Sequence, residues 1–277
     1  MIRKILAHTA LTCAALCLVA SAAFAQGDNA RYSLSCRDQN NYGDNSRARH
    51  CEVKEQTLAA TGGTLSVDGM QNGGISVKGW ERNEILVRYR IQTQASTQAE
   101  ADSLASQIRV TTNGGQIRAE GPEQGENSHW DVGYEIFVPR QSDLSLRTHN
   151  GGISISDVRG RINFEAQNGG VSLKRVGGDV KGETTNGGLS IDLAGNSWEG
   201  EGLNVRTTNG GLSVSVPDNY SAHLEAGTVN GSFAVSPALG EVARGAKQLS
   251  LNLGSGGSNL RIHTTNGGVS IRQRESR

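Results

Sequence analysis

A six-residue block repeats at a fixed step in this chain. Asn-Gly-Gly-(Ile/Val/Leu)-Ser-(Ile/Leu) starts at Asn150, Asn168 and Asn186, eighteen residues apart each time. A unit this small cannot bury an apolar face by itself, so it must stack on copies of itself. Further copies begin at Asn209 and Asn266, with a degenerate Asn230-Gly231-Ser232-Phe233 between them. Each unit carries a second turn signal, around Asp157 to Gly160 and again around Arg175 to Gly178, which leaves room for two short strands such as Ile153 to Ile155 and Arg161 to Gln167.

Two architectures give that pattern. In an antiparallel meander each Asn-Gly is a hairpin turn; in a β-solenoid it is a corner, and equivalent strands stack in parallel one rung apart. The constant step favours the solenoid, because a residue and its copy then keep the same facing. Ile153, Val171 and Leu189 form one inward column, Ile155, Leu173 and Ile191 a second, and Leu144, Ile162 and Val180 a third. A long meander would need a second layer over its apolar face, and the sequence has almost no helix to supply one. The fold expected is all-β, a β-helix-like solenoid with rungs of about 18–23 residues. The longer steps from Asn186 to Asn209 and on to Asn230 are read as corner insertions, and the 36-residue gap to Asn266 as two units whose middle signal is lost.

Upstream of the array the alternation of Leu65 and Val67, Ile75 and Val77, then Ile85, Val87, Tyr89 and Ile91 predicts further strands, punctuated by Gly62-Gly63 and Asn72-Gly73-Gly74. The period then changes. Thr97-Gln98-Ala99-Glu100 is a capping-box pattern, and Ala101, Leu104, Ala105 and Ile108 fall at helical spacing, so one short helix is expected near 97–107. Strands resume at Ile108 to Val110, Gln116 to Arg118 and Trp130 to Pro139.

The first 25 residues have the form of an export signal: Arg3 and Lys4, an apolar run from Ile5 to Ala20, and Ala23-Phe24-Ala25 before the expected cleavage at Gln26. That run is short for a membrane span of ~20 residues. The expected organisation is therefore a signal peptide (1–25), an N-terminal cap region (26–60) and a repeat domain (61–277), located in the periplasm, on the cell surface or outside the cell. The two cysteines beyond the signal, Cys36 and Cys51, are expected to form a disulfide in an oxidising compartment, closing a polar loop for about 3 kcal/mol of stabilisation. Lys+Arg and Asp+Glu number 27 each over the full chain, so no net field attracts nucleic acid or an anionic membrane. Glycine, 37 of 277, is nearly double the usual ~7% and suits many tight turns around a narrow interior.

Stacking at ~4.8 Å makes residues eighteen apart direct neighbours. Asn150, Asn168 and Asn186 then form a ladder, which the sequence explains by the tolerance of asparagine for left-handed turn backbone. Ser154, Ser172 and Ser190 form an outward strip of hydroxyls. Glu165 and Glu183 stack as like charges that splay into water or share a cation. There is no Gly-x-Ser-x-Gly elbow, His-Glu-x-x-His, phosphate loop or calcium nonapeptide. His50, His129, His149, His223 and His263 are scattered, and Trp80, Trp130 and Trp198 read as buried wedges rather than a sugar platform. No catalytic, cofactor-binding or metal-binding residue is assigned, and no cofactor is expected.

The order of elements resembles the DUF4097 family of adhesin-like exported bacterial proteins. The resemblance rests on Ile75-Ser-Val-Lys-Gly-Trp80 with Asn83-Glu84-Ile85, the helix near 97–107, Tyr134-Glu-Ile-Phe-Val-Pro139, and the Asn-Gly-Gly repeats through Ile271. It implies a β-solenoid-like domain with an envelope or surface role and no catalytic residues. The function expected is a non-enzymatic interaction or scaffold module presenting a Ser/Thr/Asn-rich face to an envelope protein or polysaccharide. The alternative is a carbohydrate-active β-helix enzyme, which would need Asp157, Glu165, Glu183 and Asp192 to converge in one groove.

Overall fold

The structure, a computed structural model, describes residues 33–36 and 47–274. The expected export signal and residues 37–46 of the disulfide loop lie outside the described residues. The first strands are β1 (Ala48–Ala59), β2 (Leu65–Asp68), β3 (Ile75–Trp80) and β4 (Glu84–Ala95), then the helix α1 (Gln98–Gln107). Next come β5 (Arg109–Thr111), β6 (Gln116–Glu120) and β7 (His129–Pro139). The regular array supplies β8 (Leu144–Thr148), β9 (Ile153–Ser156), β10 (Arg159–Ala166), β11 (Val171–Lys174), β12 (Gly177–Asn186), β13 (Leu189–Asp192), β14 (Gly202–Asn209) and β15 (Leu212–Val216). The chain ends with β16 (Ala222–Asn230), β17 (Phe233–Val235), β18 (Gln248–Leu253), β19 (Asn259–Asn266) and β20 (Val269–Gln273). Thr97 caps α1 through the full capping box with Glu100, and Ala101, Leu104 and Ala105 face the core, as the sequence predicts.

These strands build two ten-stranded mixed sheets. The first runs β1-β4-β7-β3-β9-β11-β13-β15-β20-β17 and the second β18-β16-β19-β14-β12-β10-β8-β2-β6-β5. In the middle of each sheet the parallel ladders follow the predicted register: Val171 pairs with both Ile153 and Leu189, Leu173 with both Ile155 and Ile191, and Ile162 with both Leu144 and Val180. All nine are buried, in one apolar cluster that draws on both sheets.

Three expectations need correcting. The sheets do not close into a tube: each is open at both ends, and each carries antiparallel pairs there, β1 with β4 and β4 with β7 in one, β16 with β18 and β5 with β6 in the other. Nor do the windings stack in sequence order throughout. β19 and β20 lie between β14–β15 and β16–β17, so the 36-residue gap is no missing rung; β18 occupies part of it as an antiparallel edge, and the chain then doubles back. The other end shows the same exchange, with β2 and β3 lying between β8–β9 and β6–β7.

The asparagines are the third correction. Among the described residues the non-glycine residues with left-handed backbone are Met70, Asp157, Arg175 and Asn219, none of them in an Asn-Gly-Gly block. Asparagine is used instead for its side chain: each Nδ2 donates to the Oδ1 of the next winding, from Asn230 through Asn266, Asn209, Asn186, Asn168 and Asn150 to Asn72, at 2.7–3.0 Å. Left-handed backbone belongs to the second corner, where Asp157 (φ 60°) and Arg175 (φ 51°) stack and are joined by an ion pair at 2.6 Å.

Two more features of the block are set by the closeness of the windings. A Cβ on Gly169 would lie 2.0 Å from the carbonyl oxygen of Gly151, and one on Gly187 2.1 Å from that of Gly169, so no side chain fits. Two residues before the asparagine a buried threonine hydroxyl donates to such a glycine carbonyl: Thr148 to Gly73, Thr184 to Gly169, Thr207 to Gly187, Thr264 to Gly210 and Thr228 to Gly267. Ala166 holds the same place and leaves the Gly151 carbonyl without a hydroxyl partner.

The amino-terminal end is held by different means. Glu135 of β7, 1% exposed, accepts hydrogen bonds from the Ser33 main chain and hydroxyl (2.8 Å each) and pairs with Lys78 (2.9 Å) and Arg88 (2.5 Å). Burial pushes its pKa up, but the Ser33 bonds and Lys78 outweigh that and hold it at about 2. Cys36 and Cys51 form a disulfide with Cα atoms 5.9 Å apart, tying this segment to β1.

A candidate ligand groove across the second sheet

Strand alternation sends Val67, Leu146, Phe164 and Val205 inward and their neighbours outward, so each winding contributes two outward side chains to one face of the second sheet. Across β2, β8, β10, β12 and β14 the register sets Ser66, Ser145, Asn163, Lys181 and Asn204 in one row, and Asp68, Arg147, Glu165, Glu183 and Arg206 in a second. Between the rows runs a groove of about 570 Å³. Its floor is backbone, supported from beneath by Phe164, whose ring fills the space over Gly182: a Cβ there would lie 2.5 Å from the ring.

The rows differ chemically. Among the described residues Ser66, Ser145, Asn163 and Asn204 make no side-chain hydrogen bonds, so four neutral polar groups face solvent unpartnered. Lys181 pairs with Asp179 at 2.9 Å. In the second row Arg206 binds Glu183 at 2.5 Å and Arg147 stands 3.8 Å from Asp68. Glu165, on the middle strand, has neither hydrogen bond nor ion pair among the described residues. The predicted stack of Glu165 on Glu183 is present. Arg147 beside Glu165 and Arg206 beside Glu183 offset the like charges.

The other sequence candidates separate. Asp157 sits at a corner, bound to Arg175, and Asp192 lies in the first sheet, 3.0 Å from Arg274. The four acids therefore do not converge. Ser154, Ser172 and Ser190 do form an outward row, extended by Ser213, on the first sheet. Each tryptophan is buried with its indole N–H on a backbone carbonyl, Trp80 on Glu84, Trp130 on Pro122 and Trp198 on Gly178, as wedges would be. Among the described residues no group of three or more His, Cys, Asp or Glu side chains could hold a metal, and no helix is long and apolar enough to cross a membrane. Sequence reading passed over the row from Ser66 to Asn204 because its residue types vary; the signal was positional, each member lying one place after a buried apolar residue, Leu65, Leu144, Ile162, Val180 or Leu203.

These features define a class: an all-β repeat protein of two mixed sheets presenting long polar faces. A family model described as Toastrack DUF4097 matches residues 38–272, and the chain belongs to that family. No curated protein matches the sequence. Among solved structures the chain is similar to a "putative cell adhesion protein" from Clostridium sporogenes, at 13% identity over 81% of this chain and 100% of that one, TM-score 0.41. It is also similar to a "putative adhesin" from Bacteroides fragilis, at 9% identity over 81% and 97%, TM-score 0.31. A third is a "putative lipid binding protein" from Parabacteroides distasonis, at 12% identity over 81% and 97%, TM-score 0.28. Family membership rests on the 38–272 match rather than on these overlaps.

Proposed function

We propose that this protein is an exported, non-enzymatic interaction module of the bacterial cell envelope, and that it meets an extended polymer along the groove of the second sheet. The export signal at 1–25, the disulfide between Cys36 and Cys51 and membership of the DUF4097 family support the location. The observation that carries the binding role is the row of unpartnered Ser66, Ser145, Asn163 and Asn204 side chains beside an open groove. An enzyme of the glycosidase type needs two carboxylates facing each other across a bound sugar. Glu165 and Glu183 stand side by side in one row, and Glu183 is committed to Arg206.

The test uses the secreted chain, from Gln26 onward. Cell fractionation is expected to find it in the periplasm or on the surface. Co-sedimentation with purified envelope polysaccharides is expected to retain it, without release of reducing ends. Ser145→Trp and Asn204→Trp, at exposed positions, are expected to abolish retention while leaving the denaturation midpoint unchanged. Turnover of any polymer in the panel would refute the non-enzymatic reading, and retention unaffected by both tryptophans would refute the groove.

A further inference from the structure

Taking the groove as the binding site just described, we propose that its ligand is an uncharged, β-linked polysaccharide strand lying along the stack, with one sugar unit per protein strand and Glu165 as its central anchor. Three observations lead there.

The first is spacing. The rows present one side chain per strand, every ~4.8 Å, along a line perpendicular to the strands. A pyranose unit in an extended β-1,4-linked chain advances by roughly 5 Å, within about half an ångström of the ~4.8 Å strand spacing, so it drifts by less than half a sugar across five strands. An extended peptide advances ~3.4 Å per residue and repeats its facing every ~6.8 Å, so it falls out of step with the rows within two or three strands. The five strands lining the groove span about 19 Å, enough for an oligomer of four or five sugars.

The second is charge. The groove is lined by three acids, Asp68, Glu165 and Glu183, and three bases, Arg147, Lys181 and Arg206. Glu183 is paired with Arg206, Asp68 stands within salt-bridge range of Arg147, and Lys181 is held by Asp179 beside it. Apart from Glu165 these charges are paired, so the groove carries a single uncompensated negative charge, which disfavours an anionic polymer and is too little to hold a polycation.

The third is the exception. Glu165 lies on β10, the middle of the five strands, and among the described residues no side chain hydrogen-bonds or ion-pairs with it, Arg147 on the neighbouring strand being turned towards Asp68. A free carboxylate has two oxygens and accepts several hydrogen bonds at once. Its natural complement is a pair of neighbouring hydroxyls, which a sugar carries on adjacent ring carbons. Asn163, two residues earlier on the same strand and facing the same way, supplies amide donors and an acceptor across the groove from it.

The experiment measures affinity of the secreted protein for soluble oligomers of four to six units of a neutral β-1,4-glucan and a neutral β-1,3-glucan, with dextran and polygalacturonate as α-linked and anionic probes. The expected result is binding of a neutral β-linked oligomer that strengthens with length up to four or five units. Raising salt from about 50 to 500 mM is expected to leave that affinity within twofold, in contrast to the steep loss of a phosphate- or carboxylate-reading site. Glu165→Gln should weaken binding about tenfold, the loss of charge-assisted hydrogen bonds, whereas Lys174→Ala, on the first sheet, should not. Salt-sensitive binding of polygalacturonate, or of dextran as strongly as the β-linked oligomers, would overturn this inference. So would a Glu165→Gln protein of unchanged affinity in which Ser145→Trp still abolishes binding; the groove would stand and its ligand assignment would not. If no oligomer binds while the envelope-polymer retention described above is still abolished by Ser145→Trp, the neutral-glycan assignment alone fails.

Discussion

The middle of this molecule and its amino-terminal end solve the same problem by opposite means. From β8 to β13 sequence order is spatial order, and each winding is fixed to the next by the same contacts repeated: a side-chain amide to its copy, an inward aliphatic on its copy, a glycine against a glycine carbonyl. At the amino-terminal end the repeated contacts stop at β2 and β3. One buried carboxylate, one disulfide and one capped helix hold strands that run both parallel and antiparallel. Repetition spreads stability over many small identical terms, so a single loss is local; a singular clamp concentrates it, so a single loss is felt throughout that end.

That contrast can be broken most sharply at the glycines. Gly169→Ala sets a methyl group against the backbone of Gly151, which cannot yield without opening two windings, and is expected to cost about 4 kcal/mol or more. Gly170→Ala, whose Cβ would stand 3.5 Å from the nearest carbonyl oxygen, is expected to stay within about 1 kcal/mol. Urea denaturation of the two variants decides the matter: equal losses would mean that close approach is not what selects glycine at Gly169.

Next in size is the clamp. Glu135→Gln removes the partner of Lys78 and Arg88 and is expected to cost about 3 kcal/mol at neutral pH. The folded pKa of Glu135 is depressed to about 2 from 4.5, so its contribution is fully present above 4.5 and is lost as pH falls towards 2. Asp131 nearby acts in the opposite direction. Burial raises its pKa to about 6, the Arg90 guanidinium pulling the other way, so the folded state is penalised above pH 6 and relieved as pH falls from 6 to 3.8. Thermal unfolding followed from pH 7 to pH 2 should show a steeper acid loss in the natural chain than in Glu135→Gln.

The smallest effect sharpens the repeat side. Ala166→Thr gives the Gly151 carbonyl the hydroxyl that five other windings supply, and is expected to gain about 1 kcal/mol. Thr184→Val, nearly isosteric, should lose about as much by leaving the Gly169 carbonyl unpaired. An Ala166→Thr chain with an unchanged denaturation midpoint would show that the alanine packs as well as the missing bond would hold.

Much of the middle could be read directly from the sequence, because a constant step and a two-residue alternation together leave one facing for Ile153, Val171 and Leu189. The helix was equally plain, since Thr97 and Glu100 carry their own start signal. The exchange at the two ends was not. The block at Asn266 is chemically the same as the one at Asn209, so either could neighbour Asn230; periodicity fixes the register of a winding but not its place in the stack. The threonine-to-glycine bonds were within reach, since Thr184, Thr207, Thr228 and Thr264 all stand two places before an asparagine, but alternation alone marks those positions as inward and therefore as apolar. Of the groove, Glu165 and Glu183 were visible as a stack. The freedom of Glu165 was not, because it depends on which arginine reaches which acid.

The displaced position of β19 and β20 bears on how the molecule would respond to force. Because this last segment of the chain is hydrogen-bonded on both flanks, to β14–β15 and to β16–β17, tension applied at the carboxyl terminus is shared by two ladders, each loaded in shear along its strands. A terminal winding at the outside of the stack would instead peel, one bond at a time.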